Sequence, residues 1–272
     1  MQTNILFKKI ARTVMYIIIY MTLYIAIRIL YDEYKTYGLD SVEIEQQTID
    51  YIKSNFSFDE IYFFSEVGFG DEGGNTECIK KFERDTITFR VLGNPTSSQL
   101  VFLKKIVDTL NCVIASNKIV MVGNGETDAN LTIFFIPKSQ MKEHQHRLIN
   151  GIPSGRFYTI GINKGTLNKI EIFIACDEIN DKDIKAAIMQ EFTQSLGIFN
   201  DSERLQNTIF RDGYGLDSAY GPLDLACVKI LYNSGLKPGV RLSTFEEAMG
   251  IDYEEIARQQ NLKKERKLFE ID

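Results

Sequence analysis

The sequence predicts an α+β fold preceded by one N-terminal transmembrane helix. Three observations lead to this class: short alternating apolar runs typical of strands, amphipathic patterns typical of helices, and an uncharged apolar run near the N-terminus. The 272 residues, 44% hydrophobic and 25% charged, have the composition of an ordinary globular chain. A net charge of −6 argues against a nucleic-acid partner, because nucleic-acid binding requires a basic face.

Residues 13–31 form the predicted membrane anchor. Arg28 is the only charged residue in this stretch, and a helix needs about 20 residues to cross a bilayer. Basic residues are more numerous before the stretch than after it, which predicts a cytoplasmic N-terminus by the positive-inside rule. We therefore expect a single-pass protein of the inner or plasma membrane that contacts lipid through residues 13–31 and has an extracytoplasmic main domain.

Export would place the cysteines in an oxidising compartment. The sequence leaves two outcomes open for them. They form two disulfides, in any of three pairings, or they remain small buried thiols: Cys78, Cys112, Cys176 and Cys227.

The segment after the anchor predicts one helix and one strand. Residues 41–56 have a helical apolar stripe, and "EIYFFSEVGF" (60–69) has the composition of a strand. The glycines that follow match G-x-G-x-x-G, but no helix comes after the last of them. We therefore expect a surface loop there and not a dinucleotide site: Gly68, Gly70 and Gly73.

From residue 86 the pattern becomes regular. The expected order is a strand, a helix, four strands and a second helix. The first helix (97–115) places one set of apolar residues on a single face: Leu100, Leu103, Ile106, Val107 and Leu110. The strands are predicted at 86–93, 118–123, 131–137, 155–163 and 169–177.

The second helix carries the candidate site. Asn180 or Asp181 can cap its start, and Gly197 is placed to end it. At about 100° per residue, Gln190 and Gln194 stack along one edge of the apolar arc, and Glu191 falls inside that arc. A carboxylate on a buried face needs a partner or a cleft.

The spacing Gln190-Glu191-x-x-Gln194-x-x-Gly197-x-x-Asn200 resembles the metzincin signature H-E-x-x-H-x-x-G-x-x-H. In that family the histidines bind zinc, and the glutamate is the general base for the zinc-bound water. The strand order before the motif is similar to the N-terminal half of metzincins. Downstream, "YGPLDLACVKILY" (220–232) resembles the helix that follows the metzincin site, although no methionine stands just before "GPLD".

A bacterial family of unknown function, related to metzincins and often anchored or secreted, is the closer resemblance. Its pattern E-x-x-Q-x-L-G-x-x-N-D is matched by Glu191, Gln194, Leu196, Gly197, Asn200 and Asp201. The resemblance spans residues 86–240 and implies a zincin-like mixed sheet with an active-site-type helix. The implied segments are an anchor, a membrane-proximal segment, a zincin-like domain and a helical tail: residues 1–31, 32–84, 85–242 and 243–272.

The same resemblance assigns roles to single residues. It makes Glu191 catalytic only if the protein is active, and it makes Gly197 and Asp224 structural. The pseudo-active site or binding site comprises Gln190, Gln194, Asn200 and Asp201. No zinc is expected, because amide oxygens are poor zinc ligands, and calcium is disfavoured. His144 and His146 are read as part of a solvated polar segment.

Three functions follow from these residues. The first is a membrane-anchored, exported metzincin-like domain without zinc ligands, acting as a non-catalytic binding or scaffolding pseudoprotease with a protein or peptide partner. The second is a hydrolase that uses Glu191 as general base with an unusual metal or none. The third is a subunit of a membrane protein complex.

Overall fold

The structure is a computed structural model. It describes residues 15–17, 20–24, 28, 42–70, 77–141, 155–177, 180–202, 204–205, 207–211 and 219–252. The chain divides into two compact units, Met1–Asp40 and Ser41–Asp272.

The predicted transmembrane helix is corrected by the structure. Within residues 13–31 the structure describes helix at residues 15–17, 20–24 and 28, and the remainder of the predicted span lies outside the described residues. Across the described ranges, none of the helices has both the length and the apolar character needed to cross a membrane. The single-pass membrane localisation predicted from this span is corrected with it.

The second unit is built on one mixed sheet of five strands. The strands are β1 (Thr86–Gly93), β2 (Lys118–Met121), β3 (Leu131–Ile136), β4 (Gly155–Asn163) and β5 (Thr166–Ala175). Their order is β2-β1-β3-β5-β4; β4 pairs antiparallel with β5, and the other neighbours are parallel. The predicted α+β class with a mixed sheet is confirmed.

Seven labelled helices complete the described part of this unit. They are α1 (Gln46–Asn55), α2 (Phe58–Val67), α3 (Ser97–Val113), α4 (Lys138–Met141), α5 (Asp181–Gln194), α6 (Pro222–Asn233) and α7 (Leu242–Met249). One apolar core contains buried residues of both the strands and the helices. It includes Ile52, Phe64, Phe89, Ile133, Phe192, Leu231 and Phe245.

The helix predicted over 97–115 is confirmed as α3. Thr96 and Gln99 form a capping box at its start. Leu103, Ile106 and Leu110 are buried as predicted, whereas Leu100 is 37% exposed because Gln99 takes the inward position in the first turn.

The segment 60–69 is a helix, so the predicted strand is wrong. The Ser57 side chain accepts from the Glu60 N–H, and the Glu60 side chain accepts from the Ser57 N–H, so a capping box fixes the first turn of α2. Helical packing then buries the aromatic residues Phe63 and Phe64 completely. Capping and tertiary burial outweigh the strand preference of the aromatic residues.

The four cysteines are free in the structure. Cys78 and Cys227 are buried, Cys176 is half-buried and Cys112 is exposed. The sequence left open two disulfides or four buried thiols. The structure has free thiols, but only two of the four are buried. The predicted glycine-rich loop is described only as far as Gly70; Gly73, His144 and His146 lie outside the described residues.

Candidate functional site

Helix α5 carries Gln190, Glu191 and Gln194 on its buried side. The Asn180 side chain caps the helix by accepting from the Lys182 N–H at 3.1 Å. The strand β5 precedes α5, and Phe192 of the helix packs against Phe89 of β1. The three site residues are consequently sheltered, with 5%, 6% and 2% of their surfaces exposed.

Gly197 lets the chain turn back towards α5. Its φ of +125° belongs to glycine, and a Cβ there would lie 1.9 Å from the backbone oxygen of Lys80. No other residue fits this position without moving the backbone. The turn brings Asp201 against the last two turns of the helix.

Asp201 is the meeting point of the two glutamines. Its Oδ1 accepts from Gln194 Nε2 at 2.7 Å and from Gln190 Nε2 at 3.3 Å. Gln190 Nε2 also donates to the Arg211 carbonyl at 3.3 Å. The i, i+4 spacing therefore does stack the two amides, and they point at one carboxylate oxygen.

Asn200 does not join this cluster. Its Nδ2 donates to the Glu66 carbonyl at 2.9 Å, and its backbone N–H donates to the Val67 carbonyl at 3.2 Å. These are carbonyls at the C-terminal end of α2, which otherwise lack helix partners. Asn200, which stands at the spacing of the third metzincin histidine, therefore bonds to α2 and not to the glutamines.

Glu191 lies beside the first residue of β4. A Cβ on Gly155 would lie 2.7 Å from Glu191 Cγ and 3.3 Å from its Oε1. The glycine therefore allows the strand to pass across the carboxylate. This places Glu191 at the junction of α5 and the antiparallel edge strand.

Asp224 holds the start of α6. Its Oδ1 accepts from the Thr208 hydroxyl at 2.5 Å and from the Ile209 N–H at 3.1 Å, and its Oδ2 accepts from the Gly221 N–H at 2.7 Å. The side chain is 1% exposed. These three bonds join Asp224 to the segment before α6 and to the N-cap of that helix.

Two consecutive buried lysines bond to backbone carbonyls of other segments, and neither was predicted. Lys80 Nζ donates to the carbonyls of Phe69 and Gly70, at 3.3 and 3.2 Å. Lys81 Nζ donates at 2.9 Å to the carbonyls of Leu231 and Leu236. Burial lowers the pKa of Lys81 to about 8, against a smaller opposing effect of the Glu83 charge.

Three other groups near α6 also have shifted pKa values; Tyr232 and Cys227 are buried, and Tyr220 is partly buried. Burial raises the pKa of Tyr232, whose hydroxyl donates to the Leu196 carbonyl at 2.8 Å. Burial likewise raises the pKa of Tyr220, whose hydroxyl lies 2.7 Å from Thr193 Oγ1. For Cys227, burial and then the Asp224 charge raise the pKa of the thiol. These groups are neutral and serve packing.

A second unpredicted cluster joins α2 to the segment after Gly197. The Glu66 carboxylate accepts from the Ser202 hydroxyl and from the Arg204 guanidinium, the latter at 2.9 Å. Arg204 also lies over the Tyr62 ring, 4.9 Å from its centroid. Sequence reasoning missed this cluster because the strand prediction placed Glu66 in the wrong element.

The donor set does not fit a zinc ion. Two of the three histidine-like positions hold amides whose nitrogens are engaged by Asp201, and the third faces α2. Zinc takes imidazole, thiolate or carboxylate ligands. Over the described ranges no group of three or more His, Cys, Asp and Glu side chains is arranged to hold a metal ion.

The chain matches the model of a known protein family. The model of a family described as "Protein of unknown function (DUF2927)" matches residues 58–250. The chain belongs to this family. The DUF2927 match includes α2, the sheet, α5 and α6, and therefore every residue of the site described above.

No curated protein matches this DUF2927 chain. Among solved structures it is similar to one titled "Structure of Myroilysin", with 12% sequence identity and a TM-score of 0.28. The match covers 47% of this chain and 48% of the other, so the chain spans about half the length of that structure. A likeness of this size says nothing about activity.

Proposed function

We propose that this protein is a metzincin-like domain without zinc catalysis, which acts by binding or scaffolding a protein or peptide partner. The observation that carries the proposal is the pair of hydrogen bonds from Gln190 and Gln194 to one oxygen of Asp201. Two amides stand at the spacing of the metzincin histidines, and an internal carboxylate already engages both.

The chemistry of these groups supports the loss of zinc catalysis. An amide nitrogen that donates to a carboxylate has no lone pair for a metal, and an amide oxygen binds zinc poorly. Asp201 accepts from both amides. Glu191 keeps the position of the general base, and the three amides leave it without the metal-bound water that such a base would activate.

The position of Glu191 supports a binding role at the same place. Each glutamine has a carbonyl oxygen that can accept a hydrogen bond from a ligand. Strand β4 is at the edge of the sheet beside Glu191, and extended peptides add to sheet edges through backbone hydrogen bonds. The partner class expected here is an extended polypeptide.

A hydrolase that uses Glu191 as general base is the competing function. The contact between Glu191 and Gly155 favours it, because this contact sets a sheltered carboxylate against the edge strand. In addition to Glu191, such an enzyme would need a Lewis acid or a nucleophile at the site. One experiment separates the two functions.

The experiment measures bound metal and peptide hydrolysis on the same purified protein. Metal content is determined before and after incubation with zinc, and turnover is measured on a mixed peptide library, for the natural protein and for Glu191→Gln. We expect no stoichiometric zinc and no turnover that depends on Glu191. One zinc per chain, with turnover that Glu191→Gln abolishes, would overturn the proposal.

A further inference from the structure

Strand β2 is the second edge of the sheet. It pairs on one side with β1, in parallel, from Thr86↔Lys118 to Phe89↔Met121. An edge strand presents a row of backbone donors and acceptors that another chain can pair with.

The ladder with β1 fixes which backbone groups of β2 face outward. The Lys118 N–H donates to the Asp85 carbonyl, and the Val122 N–H donates to the Phe89 carbonyl, both at 2.8 Å. Even-numbered residues therefore turn their peptide groups towards β1. Because successive residues of a strand alternate in direction, Ile119 and Met121 turn theirs away from the sheet.

A side chain of α3 occupies the outward groups of Ile119. Asn111 Oδ1 accepts from the Ile119 N–H at 2.8 Å, and Asn111 Nδ2 donates to the Ile119 carbonyl at 2.9 Å. One primary amide thus makes both hydrogen bonds that a residue of a neighbouring strand would make. The pair of bonds also fixes the orientation of the amide, since a flipped Asn111 would set donor against donor.

We propose that Asn111 closes the β2 edge against pairing with a second copy of this chain. Two copies related by a two-fold axis at Val120 would bring Ile119 of one opposite Met121 of the other in an antiparallel pair. Lys118 would then face Val122, so like charges do not oppose each other. The Met121 side chain is 61% exposed and would be buried by the contact.

The test removes the amide and measures association. Asn111→Ala and the natural protein are compared by size-exclusion chromatography with light scattering over increasing protein concentration. The natural protein should not dimerise through this edge, whereas Asn111→Ala should show a dimer fraction that grows with protein concentration. Asn55→Ala removes another helix asparagine, whose Nδ2 donates within α1 to the Tyr51 carbonyl and to the Ser54 hydroxyl, and should leave association unchanged.

A cross-link identifies the edge that pairs. In a Cys112→Ser background, Val120→Cys places a thiol on the two-fold axis, where facing Cβ atoms of an antiparallel pair lie about 5 Å apart. Oxidation should link two chains when Asn111 is replaced by alanine and should not do so when Asn111 is present. A dimer that forms without this link, or a link that forms equally with Asn111 present, would overturn the proposal.

Amide hydrogen exchange distinguishes a local opening of the β2 edge from association of a misfolded Asn111→Ala protein. At low protein concentration the Ile119 N–H should exchange roughly fivefold faster in Asn111→Ala, the factor that one net hydrogen bond corresponds to. The amides of β1 and β3 should keep their natural rates. An unchanged Ile119 rate would show that Asn111 does not protect the edge, and general loss of protection would refute the assignment of a local role.

Discussion

Asp224 and Asp201 each accept several hydrogen bonds, but their donors among the described residues differ in kind. Among the described residues, Asp224 accepts from two backbone N–H groups of the segment that it holds, at Ile209 and Gly221. Both amide donors to Asp201 are side chains, from Gln190 and Gln194. A carboxylate that satisfies backbone cannot be removed without loosening the fold, whereas one that engages side chains can be changed with the fold retained. We therefore expect the loss of Asp224 to destabilise the fold more than the loss of Asp201.

The largest effect is expected at Asp224. Replacing Asp224 by alanine leaves the Ile209 and Gly221 N–H groups and the Thr208 hydroxyl unpaired in a buried place, which should lower the free energy of unfolding by about 3 kcal/mol or more. Urea unfolding measures this. Asp50→Ala, at an exposed position, should stay within about 0.5 kcal/mol of the natural protein. Equal losses at the two positions would contradict the structural role of Asp224.

The buried Lys81 ammonium should make the free energy of unfolding depend on pH. Its folded pKa of about 8 lies below the ordinary value of 10.5, so between these values the unfolded chain holds more protons than the folded protein. The free energy of unfolding should therefore rise with pH across this window, by up to ~3 kcal/mol, relative to Lys81→Met. Below pH 8 the difference between the two proteins should not depend on pH. A flat difference up to pH 10.5 would count against a buried ammonium at this position.

A smaller loss is expected at Asp201. Asp201→Ala should lower the free energy of unfolding by about 1 kcal/mol, because it removes the acceptor of the Gln190 and Gln194 amides. A double-mutant cycle with Gln194→Leu should show coupling of about 1 kcal/mol, and a cycle with Gln190→Leu should show less, since the bond to Gln194 is 2.7 Å and that to Gln190 is 3.3 Å. Equal coupling in both cycles would contradict this ranking.

The smallest loss is expected at Asn200. Asn200→Ala removes one hydrogen bond to the Glu66 carbonyl and should cost about 0.5–1 kcal/mol in thermal or urea unfolding. A cycle of Asn200→Ala with Gln194→Leu should show no coupling, because the two side chains bond to different elements. Strong coupling would mean that Asn200 belongs to the glutamine cluster after all.

The sheet and the stacked glutamines could be predicted from local pattern. Alternation along β1 and β5 reports burial on one face, and the 3.6-residue period alone places Gln190 over Gln194. The direction of Asn200 could not be predicted, because it depends on where α2 ends, and the sequence of α2 reads as a strand. The roles of Lys81 and Asn111 could not be predicted either, since their partners are backbone carbonyls and N–H groups of other segments. The membrane-spanning helix predicted over residues 13–31 is corrected because no helix of the described residues is long and apolar enough to cross a membrane.

We propose that the site keeps the framework of a metal site and lacks the metal ligands. Zinc titration by calorimetry of the natural protein and of the double variant Gln190→His with Gln194→His tests this most directly. Two histidines and Asp201 form a donor set that zinc accepts, so the double variant should bind one zinc ion and the natural protein none. Stoichiometric zinc binding by the natural protein, or none by the double variant in its folded state, would contradict the account.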